Sequence, residues 1–402
     1  MFSSYRMSSL SSYSQLYLKV LRVSGVWPWK TQHEPWQRIL AHAYTTYAAL
    51  AVTGSFLGTS LVFVMMHLSE WQAVLGDLWL KVSLASISLK LVLFLMHRKE
   101  INTLLNSSPK FISTSVPSHL NNYKTEAIQR SALQIALMII IAIVAYFYFQ
   151  ADIFIVDIAH LLKPTKNTQG NTLYILGTLL LLAVERCALV ILMLFHLGAF
   201  GFYLTYLRFI EGYLDHLKDS IIKISVEPKL QKDTLFTNYN ASTTDQEVRY
   251  CVSLHQFIIG LVDRGNAAFS TQMLFKLWRS LVVLCLTAKE LTNENQPFGN
   301  KLTITLIFLA NIFELFNVCW LADVIQSKMR HAAVRDDMVT AQNGSEGFDE
   351  DDNWITMQAM SYRCQMPLDL RAGPYYHLSI HTFSAILGLS FTYFIFLTSV
   401  KT

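Results

Sequence analysis

Apolar residues run along this chain in long blocks separated by polar stretches. A helix crossing a bilayer needs about 20 consecutive, mostly apolar residues. Seven blocks reach or approach that length: Leu40 to Met66, Trp71 to Met96, Ser131 to Gln150, Thr172 to Tyr206, Cys251 to Thr287, Leu302 to Gln326 and Tyr376 to Val400. The fifth is interrupted by Asp263, Arg264, Lys276 and Arg279, yet Leu281 to Leu286 continues its helical pattern. Without this block, residues 209–301 would form a loop far longer than compact folds carry. The expected fold is an all-α membrane protein of seven spanning helices. At 1.5 Å per residue the fourth block is about 52 Å long, against a hydrocarbon core of about 30 Å. Helices four to six are therefore expected to project beyond the bilayer into a helical layer, with Ile210, Leu214 and Leu217 extending the fourth.

Composition agrees with this pattern. Hydrophobic residues make up 52% of the 402 and charged residues 15%, against about 25% charged in soluble domains, and mean hydropathy is +0.34. Lys and Arg sort strongly by segment. About twenty lie in 1–38, 97–130, 207–250 and 327–371, and about five in the alternate loops. By the positive-inside rule this puts the N-terminus in the cytoplasm and the C-terminus outside. The first 38 residues contain no apolar stretch of signal-peptide type, so insertion is expected to begin with the first span. The sequons at Asn106, Asn240 and Asn343 fall in segments placed inside, where they would go unmodified. The organisation that follows is a cytoplasmic segment at 1–38, four spans in 39–206, a cytoplasmic loop with helix extensions at 207–250, and two spans in 251–330. A cytoplasmic loop and anchor helix occupy 331–375, and the last span is 376–402.

The net charge of +4 is small and dispersed, which excludes a nucleic-acid partner. Five cysteines at 187, 251, 285, 319 and 364 show no CxxC spacing, and most lie in apolar segments as packing residues. No phosphate loop, HExxH or GxSxG is present, so neither an enzyme nor a cofactor or metal site is expected. Ionisable residues within spans are costly and need partners or water. Lys81, Glu185, Arg186, Arg279 and Glu314 are of this kind, and interhelical ion pairs are the expected account of them. Trp79, Tyr146, Phe149, Tyr174, Met273 and Phe308 fall near the outer ends of spans two to six. Together they could line an apolar pocket for a small volatile molecule, although ordinary core packing explains any one of them. In the last span, Ser384, Ser390, Thr392, Thr398 and Ser399 recur, as in a helix facing a water-filled path.

Residues 366–402 read MPLDLRAGPYYHLSIHTFSAILGLSFTYFIFLTSVKT. Pro367-Leu368-Asp369-Leu370-Arg371-Ala372-Gly373, Leu378-Ser379, Phe383, Ile386-Leu387 and Thr392-Tyr393-Phe394 resemble the C-terminal pattern of insect odorant receptors. Leu21 to Trp29 resembles the start of that family, and His255 to Cys285 is similar in character to its fifth span. Ser399-Val400 stands where the related gustatory family has Gln-Phe. The short 209–250 loop lacks the co-receptor's insertion, so the resemblance is to the ligand-tuning subunit. It departs from the family in 336–356, which lacks the usual Tyr-rich run before Trp354.

This resemblance implies an odorant-gated, nonselective cation channel in the plasma membrane of olfactory sensory neurons, formed as a heterotetramer with co-receptor subunits. The last helix would line the pore for permeating cations, with Phe396 and Val400 at an apolar constriction and Ser399 close by. The expected partners are those subunits, a small volatile odorant and membrane lipid. A seven-helix transporter and a gustatory-type channel are the alternatives. A G-protein-coupled receptor would need the opposite charge distribution and DRY and NPxxY motifs that this chain lacks.

Overall fold

The computed structural model describes residues 15–23, 71–105, 172–232, 241–292, 294, 298–343, 362–363 and 368–399. Seven helices and one two-stranded hairpin lie among them: α1 (Gln15–Val23), α2 (Trp71–Met96), α3 (Arg98–Leu105), α4 (Thr172–Lys232), α5 (Ala241–Leu291), α6 (Phe298–Asn343), β1 (Arg371–Ala372), β2 (Tyr376–His377) and α7 (Ile380–Ser399). The bounds of α2 are those expected of the second span. The expected first and third spans lie outside the described residues, as do the sequons at Asn106 and Asn240. Among the described residues, four stretches are long and apolar enough to cross a membrane: Val190–Ile222, Glu247–Leu291, Phe298–His331 and Ile380–Ser399.

Helices α4, α5 and α6 contain 61, 51 and 46 residues. At 1.5 Å per residue they are about 92, 77 and 69 Å long, more than twice a hydrocarbon core of about 30 Å. The fourth and sixth apolar blocks continue as unbroken helix well past their apolar ends. The fifth is one helix through all four of its charges, because each of the interrupting side chains is a good helix residue or finds a place on a polar edge.

The apolar surfaces of these long helices bury one another. From Gly201 to Ile210 every residue of α4 is buried. Its Phe202, Tyr203 and Tyr206 rings meet Phe269 of α5 at centroid distances of 5.2 to 5.9 Å. The Tyr206 hydroxyl donates to the Leu261 carbonyl at 3.2 Å, which satisfies it in an apolar setting. Gly265 makes this possible, since a Cβ there would overlap that hydroxyl. Leu315, Val318, Cys319, Ala322 and Ile325 of α6 complete the same core. The short α1 joins it through Tyr17, Leu18 and Leu21, and Leu21 lies so close to Gly198 that a Cβ there would stand 3.1 Å from its side chain.

The chain departs from the expected pattern before its last helix. Tyr376 and His377, assigned by hydropathy to the seventh span, form β2 instead, and the helix begins at Ile380. β1 and β2 pair antiparallel, Arg371 opposite His377 and Ala372 opposite Tyr376. Gly373, with φ of +66°, makes the turn between them. Only glycine adopts that conformation without a steric penalty, and here a Cβ would also meet Leu274 of α5 at 2.8 Å. The described residues are thus helical as expected, apart from one small hairpin at 371–377. Alternation over two-residue strands is too short a signal to separate from an apolar helix start.

Gly265→Ala is expected to destabilise the fold by about 1–3 kcal/mol through overpacking against Tyr206. Gly212→Ala, on the same bundle where a Cβ meets nothing within 4 Å, should be neutral or stabilise by up to about 1 kcal/mol. Thermal unfolding of the detergent-solubilised protein distinguishes the two, with the melting temperature falling only for the first.

Candidate functional site

Two regions carry chemistry beyond packing. The first is a buried polar cluster where α2, α4, α5 and α6 approach one another. Glu314 of α6, 3% exposed, is its centre. Its Oε2 accepts a hydrogen bond from Arg279 Nη2 at 2.9 Å. Its Oε1 lies 2.8 Å from Lys276 Nζ, an ion pair without hydrogen-bond alignment. His196 of α4 places Nε2 3.5 Å from the same carboxylate. Arg279 reaches Asn311 Oδ1 at 3.3 Å, and the Lys276 ammonium sits 4.2 Å from the Phe200 ring centroid. Lys90 of α2 is also buried and shares the electrostatic field of Glu314, Lys276 and Arg279.

Helix geometry explains the convergence. Lys276 and Arg279 are three residues apart, as are Asn311 and Glu314, so each pair projects from one face of its helix. When α5 and α6 pack, those faces meet. The expectation of an interhelical ion pair is met for Arg279 and Glu314. The side chains of Lys81, Glu185 and Arg186 lie outside the described residues. Lys90 and His196 were not singled out by sequence, because a Lys or His near a span's edge reads equally well as reaching for water. Only the three-dimensional packing turns them inward.

A second ionic group ties α4 to α6. Lys328 Nζ lies 2.9 Å from Glu211 Oε1 and 2.7 Å from Asp215 Oδ2. Arg208 donates to Glu211 Oε2 at 2.6 Å, and its guanidinium lies 5.4 Å from the Trp320 ring centroid. Lys328, Glu211 and Asp215 are partly open to solvent, which weakens their pairing, whereas Arg208 is buried.

The second region is α7. Apart from Ser390, its side chains are exposed or half-buried. It touches α5 and α6 on one side, where Phe383 meets Phe316 edge-on at 5.5 Å. Phe391, Tyr393, Ile395 and Phe396 stand away from the chain's own core, Phe396 at 61% exposure. Its hydroxyls bond to their own helix. Ser390, Thr392, Thr398 and Ser399 donate to the carbonyls of Ile386, Gly388, Phe394 and Phe396 at 2.7 to 3.1 Å. They are satisfied by their own helix, so their recurrence alone does not require a water-filled path.

The expected ligand-lining residues are placed as follows. Met273, 2% exposed, packs in the main core, and Phe308 on α6 is half-buried. Trp79 and Tyr174 lie on α2 and α4, but their side chains are outside the described residues. Tyr146, Phe149 and the expected constriction residue Val400 are outside them altogether. Phe396 and Ser399 are exposed on the last turns of α7.

Long apolar helices sharing an ionic core define a multi-pass membrane protein. The family described as 7tm Odorant receptor matches residues 70–332, well over half the chain. The chain therefore belongs to the odorant receptor family. Its fold is similar to that of the insect olfactory receptor OR5 of Machilis hrabei in complex with eugenol, with a TM-score of 0.72 at 17% identity, covering 97% of this chain and 98% of that one. A second structure of the same receptor matches with a TM-score of 0.69 at 16% identity and the same coverage. No curated protein matches the chain at a significant level.

Removing the central carboxylate should expose how strongly the cluster is coupled. Glu314→Gln leaves Lys276 and Arg279 buried without their counter-charge, a loss of about 3–5 kcal/mol. Combining Glu314→Leu with Lys276→Met and Arg279→Met should recover part of that loss. The melting temperature and surface abundance of the three proteins decide the matter, with the single variant lowest.

Proposed function

We propose that this chain is the ligand-tuning subunit of an odorant-gated, nonselective cation channel, assembled with co-receptor subunits and oriented with its N-terminus in the cytoplasm. Family membership supports the sensory role. The exposure of α7 supports the channel role. A helix whose apolar aromatic side chains are left uncovered by its own chain is suited to meet other subunits and a central axis, and a ring of such side chains gates by dewetting. Phe396 and Val400 would form that ring, with Ser399 beside it.

The odorant would bind in an outer pocket lined by Trp79, Tyr146, Phe149, Tyr174, Met273 and Phe308. That the similar receptor OR5 was solved with eugenol supports a ligand of small size. Binding shifts the channel towards its open state only by the ligand's differential affinity for that state. In this scheme occupancy displaces α5 or α6 against α7 and widens the ring. The excess of α4, α5 and α6 length over the bilayer would form an inner anchor layer.

Phe396→Ala, co-expressed with a co-receptor, should alter odorant-evoked current, raising basal current or changing ion selectivity. Unchanged gating and permeation at normal surface level would remove Phe396 from the constriction. Epitope tags settle orientation separately: an N-terminal tag should be stained only after permeabilisation and a C-terminal tag on intact cells.

A further inference from the structure

The hairpin preceding α7 is bound to α5 by an unbroken hydrogen-bonded path. The Asn266 amide of α5 reads the backbone of β1 with both of its ends: Nδ2 donates to the Asp369 carbonyl at 2.6 Å, and Oδ1 accepts from the Arg371 N–H at 3.0 Å. One helical turn further along, the Ser270 carbonyl accepts from the Gly373 N–H at 2.8 Å. A turn beyond that, Leu274 packs beneath the Gly373 turn. Positions 266, 270 and 274 share one face of α5, so the hairpin lies along that face as a third layer.

From the hairpin the path continues into α7. The Leu378 N–H donates to the Leu370 carbonyl at 2.8 Å. Ser379 then caps α7, its Oγ accepting from the Thr382 N–H at 3.3 Å, while Thr382 Oγ1 donates to the His377 carbonyl at 2.6 Å. The Asp369 carboxylate holds Arg371 and His377 together across the two strands. Leu368, Leu370, Ala372 and Leu378 are all buried in the core shared with α5. A two-stranded hairpin of this size is marginal alone in water or lipid. Its order therefore depends on α5.

We infer that Asn266 is a positioning residue for gating: it keeps the hairpin fixed to α5 in both closed and open channels, so that displacement of α5 carries the hairpin and the first turn of α7 with it, and α5 shifts only against the part of α7 beyond that turn. The inference rests on the channel reading above and deepens it by naming how displacement of α5 reaches the last helix. Asn266 touches neither ligand nor pore in this scheme. It acts through the backbone of β1.

The test uses the full chain co-expressed with a co-receptor, with single-channel recording at saturating odorant and surface biotinylation. Asn266→Ala removes both side-chain hydrogen bonds and loosens the coupling of α5 to α7, which should lower open probability at saturating odorant about fivefold, leaving unitary conductance unchanged at equal surface abundance. Asn266→Asp keeps the acceptor for the Arg371 N–H and loses only the donor to the Asp369 carbonyl, so its open probability should fall between those of the unmodified chain and the alanine variant. Gly373→Ala, whose Cβ meets Leu274, loosens the same attachment from the hairpin side; it should also lower open probability at unchanged conductance, and it serves if Asn266→Ala fails to reach the surface. Open probability unchanged or raised in the alanine variant would overturn the inference, a rise meaning that the hairpin must leave α5 to open the pore. Absence of odorant-evoked current from the unmodified chain with its co-receptor would instead strike the channel reading itself.

Discussion

Glu314 is the constraint around which the described bundle is arranged. A carboxylate at 3% exposure inside an apolar helix bundle is tolerable only when opposite charges and hydrogen bonds surround it. Lys276, Arg279 and His196 supply them, so α4, α5 and α6 must meet at this one height. Apolar surfaces alone would let long helices slide past each other by a turn at small cost. A buried ion pair does not, because a shift of one turn would strand both charges. The cluster thus gives the helices a register that oily side chains do not specify.

That register carries along α4 and α6. With α4 and α6 aligned at Glu314, Lys328 arrives opposite Glu211 and Asp215, and Arg208 arrives beneath Trp320. The rings of Phe202, Tyr203, Tyr206 and Phe269 close the intervening space. The result is a stiff three-helix column in which α5 is central: it packs against α2, α3, α4, α6, the hairpin and α7. A helix that contacts so many others is well placed to carry a displacement from one end of the receptor to the other.

The contrast with α7 is physical as well as functional. The three long helices bury much of their apolar surface against one another, while α7 leaves most of its own uncovered and bonds its hydroxyls to its own carbonyls. It is attached at its start through the hairpin and the Ser379 cap, and along one side Phe383 and Ile386 pack against the core while Ser390 is buried. Its other side presents Phe391, Tyr393, Ile395 and Phe396, the face that the channel proposed above would turn towards other subunits.

Much of this was legible in the chain. The apolar block at Trp71 to Met96 became α2 with the same ends, and the excess length of blocks four to six was evident because hydropathy and helix rise are local properties. Arg279 and Glu314 could be marked as needing interhelical partners, since a charge in a span demands one, though which partner each finds was not legible. The odorant receptor family was likewise readable from the last 40 residues. What the sequence could not determine were relations between distant segments. Lys90 and His196 belong to the ionic cluster only because α2 and α4 rotate them inward. Gly265 is required only because Tyr206 crosses above it from a helix some 60 residues away. The hairpin exists at Tyr376 and His377, where hydropathy favours helix, because Asn266 and Ser270 of α5 supply hydrogen bonds that no neighbouring residue in the chain provides. Local patterns decide which segments become helices; the partners that buried polar groups find across space decide where those helices stand.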